Sequence, residues 1–213
     1  MKKFELTSEF ITNVLGTKLF RIKALIEFGD VSAGELGGYI EKEENLAQDG
    51  DAWVYDNAKV CGDAKVYGNA KVCGDAEVYD NAWVYDNAEV YGNAKVYGNA
   101  KVCGDAKVCG DAEVYGDAWV CGDAEVYGDA WVCGDADYST VKGFGRIFRT
   151  TTFFRKKDKD IGVSCGCFYG TLEEFRKKVK ETHGESKTAK EYLMLADLME
   201  YKFSREMDEE VNQ

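Results

Sequence analysis

The sequence predicts a mainly β protein: a three-sided parallel β-helix with 18 residues per coil over residues 40–138, an N-terminal β cap over 1–39 and a C-terminal ββαα module over 139–213. Three observations carry this. Alanine recurs at every sixth position from Ala52 to Ala136, fifteen times without a miss, and valine follows two residues later, fourteen times from Val54 to Val132. The two residues that close each unit are drawn from Gly, Asn and Asp. The residue between Ala and Val varies, and its variation selects one coil length.

Within Ala-x-Val-[Tyr/Cys], alternation puts Ala and Val on one face and x with Tyr or Cys on the other, the pattern of a short half-buried strand. Pairs such as Gly68-Asn69 and Gly104-Asp105 reach positive φ cheaply and turn the chain. Six-residue units of strand and corner, stacked, make a β-solenoid. Residues one coil apart lie about 4.8 Å above one another. With 18 residues per coil the x positions stack as Trp53-Lys71-Glu89-Lys107-Glu125, Lys59-Glu77-Lys95-Glu113-Trp131 and Lys65-Trp83-Lys101-Trp119. Six vertical neighbours are then opposite in sign and none is alike, whereas 12 residues per coil gives four like-charge pairs and 24 gives two. Opposed like charges destabilise, so three hexads close a coil. The third stack sets Lys against Trp, a cation–π contact worth about 0.5–1 kcal/mol per exposed pair.

The same phase runs back through Leu46 and Ile40, giving a prism about 25 Å tall whose open ends need covers. At one end, Lys18–Ile26 reads as a strand and the Gly-rich Gly34–Gly38 leads into the first coil. At the other, strands near Arg146–Phe154 and Ile161–Phe168 flank a turn at Lys156–Asp160. The capping box Thr171-Leu-Glu-Glu174 starts a helix with Leu172, Phe175 and Val179 on one side, and Gly184 ends it. A second helix from about Ser186 to Glu206 carries Ala189, Tyr192, Leu193, Ala196, Met199 and Phe203 on one stripe.

These hexads, with Ala-x-Val inside and Gly-Asn or Gly-Asp corners, resemble the left-handed β-helix of the hexapeptide-repeat superfamily. The resemblance implies the left hand, and it implies relatives that are acyltransferases and related transferases, usually trimeric. The stretch Phe28-Gly-Asp-Val-Ser-Ala-Gly-Glu-Leu-Gly-Gly-Tyr-Ile40, followed by Glu44-Asn-Leu-Ala-Gln-Asp-Gly-Asp-Ala-Trp-Val54, looks like the lead-in segment of bacterial and phage hexapeptide-repeat proteins described as transferases or polymer-forming proteins. The Cys165-Gly-Cys167 to Glu174 stretch looks like a tail of phage members. The sequence departs from the superfamily pattern in placing Tyr or Cys where Gly usually follows the inward aliphatic residue.

Composition narrows the chemistry. The chain of 213 residues has a net charge of -12, 23 Gly, 13 Tyr, 8 Cys, one His and no Pro. A zinc site built on several His is excluded. The resembled acyltransferases use a His base in a cleft between subunits, with loops that break the repeat. Here the repeat is unbroken and holds no His, so the chain reads as a non-enzyme, with His183 the one weak catalytic candidate and otherwise a helix C-terminal cap. Six cysteines (Cys61, Cys73, Cys103, Cys109, Cys121, Cys133) share the outward slot with eight tyrosines and are expected to fill surface as free thiols, while Cys165 and Cys167 are expected to fill core. Consecutive corner carboxylates from Asp105 to Asp135 read as solvated corners. No metal and no cofactor are expected. The charged amino terminus and the lack of an 18-residue apolar window imply a cytoplasmic protein without membrane contact.

The charge map nominates two binding regions. Residues 46–138 hold 18 acids and 6 bases, whereas 142–180 hold 11 bases and 4 acids. An acidic rod beside a basic collar of Arg146, Arg149, Arg155, Lys156 and Lys157 implies either mutual contact or a charged partner. The face with Lys65, Tyr67, Trp83, Tyr85, Lys101, Cys103, Trp119 and Cys121 has no outward acid on its strands and is nominated for contact with a copy or a partner. The expectation is a phage- or prophage-type scaffold, a homo-oligomer (trimer or dimer) with a host protein as candidate partner. The alternatives are a transferase of the resembled superfamily and an acidic nucleic-acid mimic that blocks a host enzyme. Direct nucleic-acid binding by the acidic β-helix is not expected.

Overall fold

The computed structural model describes residues 2–145 and 149–209. Three strands open it, β1 (Phe4–Thr12), β2 (Lys18–Ala24) and β3 (Leu36–Ile40). Fourteen two-residue strands, β4–β17, then follow at six-residue steps from Trp53–Val54 to Trp131–Val132. They form about five turns of a parallel β-solenoid. In each the second residue, Val, is fully buried, and so is every Ala from Ala52 to Ala130. Removing these small apolar side chains from water is the main stabilising term of the prism. Ala136 falls outside the pattern: the hexads end there in a 3-10 turn, Asp135–Asp137, and it is exposed.

The 18-residue coil is visible in the pairing. Lys59 sits over Glu77, Glu77 over Lys95 and Lys95 over Glu113, all parallel and in register. Lys71, Glu89, Lys107 and Glu125 align on the second face, and Lys65, Trp83, Lys101 and Trp119 on the third. Two of the six opposed pairs close to ion pairs, Lys59–Glu77 at 2.8 Å and Lys107–Glu89 at 3.7 Å. Lys71 turns instead to Asp30 of the N-terminal cap at 2.6 Å.

Corners explain both their glycines and their exceptions. Gly104 has φ +69, and a Cβ there would lie 2.9 Å from the backbone N of Gly122 one coil on. Asp56, Asp80 and Asp86 hold the same left-handed conformation, with φ of 53, 59 and 59. Their carboxylates accept the N–H of the glycine one coil later, Gly74 (3.1 Å), Gly98 (3.2 Å) and Gly104 (3.3 Å), which offsets the strain. At the second corner position asparagines form vertical ladders: Asn69 donates to Asn87 at 3.0 Å, and Asn87 to Asp105 at 2.9 Å. A carboxylate can only accept, so a ladder that meets Asp stops there.

The N-terminal cover is larger than the single strand expected. β1 and β2 pair antiparallel, β2 pairs with β3, and β3 runs parallel to the first strand of the Lys59 face, so the cap extends that sheet to eight strands. Phe4, Ile22, Val31 and Leu46 close the prism end. Trp53, an outward residue by its place in the hexad, is fully buried because Phe4 and Phe28 pack edge-on against its ring at 6.1 and 5.4 Å. Lys3 is buried too, its Nζ donating to the carbonyl of Ala52 at 2.9 Å.

The C-terminal cover holds two strands more than the expected ββαα. It is a four-stranded antiparallel sheet, β18 (Tyr138–Phe144), β19 (Arg149–Arg155), β20 (Ile161–Cys165) and β21 (Phe168–Thr171), followed by α1 (Leu172–His183) and α2 (Lys187–Glu209). β19 is the hinge of the arrangement in packing terms. Successive side chains point to opposite faces, so Phe154 plugs the prism core while Phe153 joins Val163, Phe175, Tyr192, Ala196 and Phe203 in a second core beneath the helices. The Thr171 capping box forms as read, and Gly184 caps α1 with φ 54 and its N–H on the Lys180 carbonyl. No helix among the described residues is long and apolar enough to cross a membrane.

Candidate binding surfaces

The Lys65 face brings its predicted residues together. Lys65 Nζ lies 5.6 Å from the Trp83 ring centroid, and Lys101 Nζ lies 5.4 Å from Trp83 and 5.5 Å from Trp119. The rings of Tyr67 and Tyr85 stack in parallel at 5.0 Å, and Trp119 Nε1 donates to Cys103 Sγ at 3.1 Å. Trp83 and Trp119 remain 37% and 48% exposed, large for indole rings locked in position by their neighbours. Burial pushes the Tyr67 phenol up, and burial together with the Cys103 thiol does the same to Tyr85, so both stay protonated donors.

The cysteines depart in part from the surface role expected of them. Cys121 and Cys133 are exposed, but Cys103 and Cys109 are buried to 6% exposure. The Trp119 indole covers Cys103 from the next coil, and burial pushes the Cys109 thiol up. Burial pushes the Cys61 thiol up to about 11, which leaves it a poor nucleophile. Cys165 packs against the second core, with Thr151 Oγ1 donating to its Sγ at 3.2 Å, but Cys167 sits in the turn after β20 and is exposed, contrary to the core role expected of it.

The basic collar is largely turned inward. Arg155 Nε meets Asp137 at 3.1 Å, Lys156 meets Asp129 at 3.6 Å and Lys157 meets Glu113 at 2.8 Å. Lys142, not singled out from the sequence, pairs with Asp123 and holds that carboxyl below the usual range. Contact between rod and collar is therefore the structural outcome for these residues. Arg146 lies outside the described residues.

Arg149 has a different setting. It lines a cavity of about 620 Å³ between the end of the sheet and the helices, with Cys165, Cys167, Phe168, Lys178 and His183. Tyr192 completes the wall, its ring centroid 6.0 Å from that of His183. His183 is thus the last residue of α1 with its ring at a cavity, while Gly184 makes the cap. The helical periodicity sets Tyr192 on a packing stripe and gives Lys178 no distinction from its neighbouring lysines. Nothing in the spacing signals their convergence, which comes from the docking of two helices on the strands β19, β20 and β21.

An uninterrupted solenoid of alanine-valine hexads, capped at both ends, is the architecture of a hexapeptide-repeat β-helix protein. Uncharacterized acetyltransferase YdcK of Escherichia coli (strain K12) is 43% identical over 63 residues, which cover 26% of this chain and 19% of YdcK. The likeness therefore reaches about a fifth of that relative's length. No family model matches the chain.

Proposed function

We propose that the protein is a binding module that associates with a second copy of itself through the Lys65 face. The observation that carries this is the pair of ordered, half-exposed indoles, Trp83 and Trp119, interleaved with lysines on strands that bear no acid. Indoles held rigid lose little side-chain entropy on contact, and Trp is the residue type that most often anchors interfaces. The collar's lysines and Arg155 are engaged within the chain, which leaves this face as the distinctive cationic and aromatic surface of an otherwise acidic rod. Light scattering coupled to size exclusion tests it. A dimer or trimer of the 23.7 kDa chain is expected, falling to the monomer in Trp83→Lys and Trp119→Lys. A wild-type protein that elutes as a monomer, or an oligomer indifferent to both substitutions, overturns the reading.

A second reading is acyl transfer. It is favoured by the description of YdcK as an acetyltransferase, which speaks for this alternative and not for a phage role. The coils carry no His and no inserted loop, so the base would have to be His183 at the C-terminal cavity. Acetyl release from acetyl-CoA to an amine or hydroxyl acceptor, abolished in His183→Ala with the fold intact, is its signature. Turnover unchanged in that variant would remove His183 from the reaction.

A further inference from the structure

The cavity of the C-terminal module is a site that the repeat-face reading leaves unused. Its floor is apolar, built from Phe168, Phe175 and Val179. Its rim carries Arg149 and Lys178, and neither cation has a hydrogen-bond or ion-pair partner among the described residues. Among the described residues no Asp or Glu lines it. The turn Cys165-Gly166-Cys167 lets the Arg149 guanidinium lie against it because Gly166 has no side chain, and at φ +61 glycine suits the turn as well. Tyr192 OH is 3.9 Å from Cys165 Sγ, at the inner wall.

We infer that this cavity binds an organic monocarboxylate with an aromatic or aliphatic body, its carboxylate at Arg149 and Lys178 and its body against Phe168, Phe175 and Val179. Two unpartnered cations over an apolar floor are the complement of an anion with a hydrophobic tail, and a planar guanidinium meets a carboxylate with two parallel N–H bonds. The volume lies within the range of about 300–1,000 Å³ that small-molecule sites occupy, and most of the wall is apolar with few polar groups, as such sites are. Burial pushes the Tyr192 phenol up to about 12, so it stays a neutral wall and donor against an anion. The site is separate from the Lys65 face and stands whether or not His183 performs chemistry.

Calorimetry on the full chain with 2-naphthoate and its uncharged counterpart 2-naphthamide tests the inference, with octanoate and octanamide as the aliphatic pair. The acids are expected to bind saturably, and the amides about tenfold or more weaker, as the loss of one charge-assisted contact implies. Arg149→Gln and Lys178→Gln, both at exposed positions, are each expected to weaken the acids by about tenfold and to leave the thermal midpoint unchanged. Equal binding of acid and amide, or acid binding unaffected by both substitutions, overturns the charge assignment. Inorganic phosphate competing as well as the naphthoate overturns the role of the apolar floor.

Discussion

Trp53→Ala is expected to destabilise the protein by about 3–5 kcal/mol, the range for deleting a buried indole. Trp53 is the largest fully buried side chain in the molecule and joins the first coil to the N-terminal cap through Phe4 and Phe28. Its loss opens a cavity at the centre of the contact between cap and prism, which Phe4, Ile22, Val31 and the pairing of β3 with the Lys59 strand surround. Trp83→Ala, at a hexad position of the same type but 37% exposed, is expected to cost under about 1 kcal/mol. Urea midpoints of the two variants measure the contrast. Similar shifts in both would mean that the cap does not bury Trp53 as described.

Alkaline pH is expected to unfold the protein between pH 10 and 12. Burial pushes the Tyr79 and Tyr115 phenols up from 10.0 to about 12, and the Cys61 thiol up from 9.0 to about 11. Tyr85, Tyr91 and Tyr97 are pushed up as well, again chiefly by burial. The folded state keeps protons that the unfolded chain has released, so this contribution is whole below the unfolded values and is lost as pH rises through the folded ones. Lys3 acts in the opposite sense. Burial lowers its ammonium from 10.5 to about 8, so stability increases from about pH 8 until the phenols take over. Tyrosinate absorbance should therefore rise late and in step with the loss of circular dichroism. Phenols that ionise near pH 10 in a protein that stays folded would show that the outward rows are wetter than they look.

How much of this could be read from the chain alone differs by element. The hexad fixes register because its meaning is local: Ala and Val must point inward every six residues, and charge alternation at 18 residues has no other explanation. The caps are legible only in part, because their burial is created by the prism end they cover. β1 is a polar-looking stretch whose Phe4 matters only beside Trp53, and β18 has no buried residue and is mostly exposed, so neither announces itself by periodicity. Trp53 itself shows the limit: the hexad places it outward, and a distant segment decides that outward is inside. The nominated Lys65 face needed only vertical registry, and its lysine–indole contacts appear as expected. The fate of the collar needed the path of β19 across the last coil, and the cavity needed the docking of two helices on a sheet, neither of which spacing encodes.

The alternation of signs down the faces also sets a grain on how this chain can change in length. The backbone repeats every coil, yet the residue between Ala and Val repeats every second one through the middle coils. Lys59 meets Glu77 and finds lysine again at Lys95, Lys65 finds it again at Lys101, and Tyr55, Cys73, Tyr91, Cys109 and Tyr127 alternate on the remaining face. Excising the single coil 77–94 would bring Lys59 directly over Lys95, although every alanine and valine would still land in its proper place. Excising two coils, 77–112, would restore the opposition by setting Lys59 over Glu113. Backbone and charge are commensurate only over a doubled cell, so the gene can gain or lose prism in silent steps of paired coils.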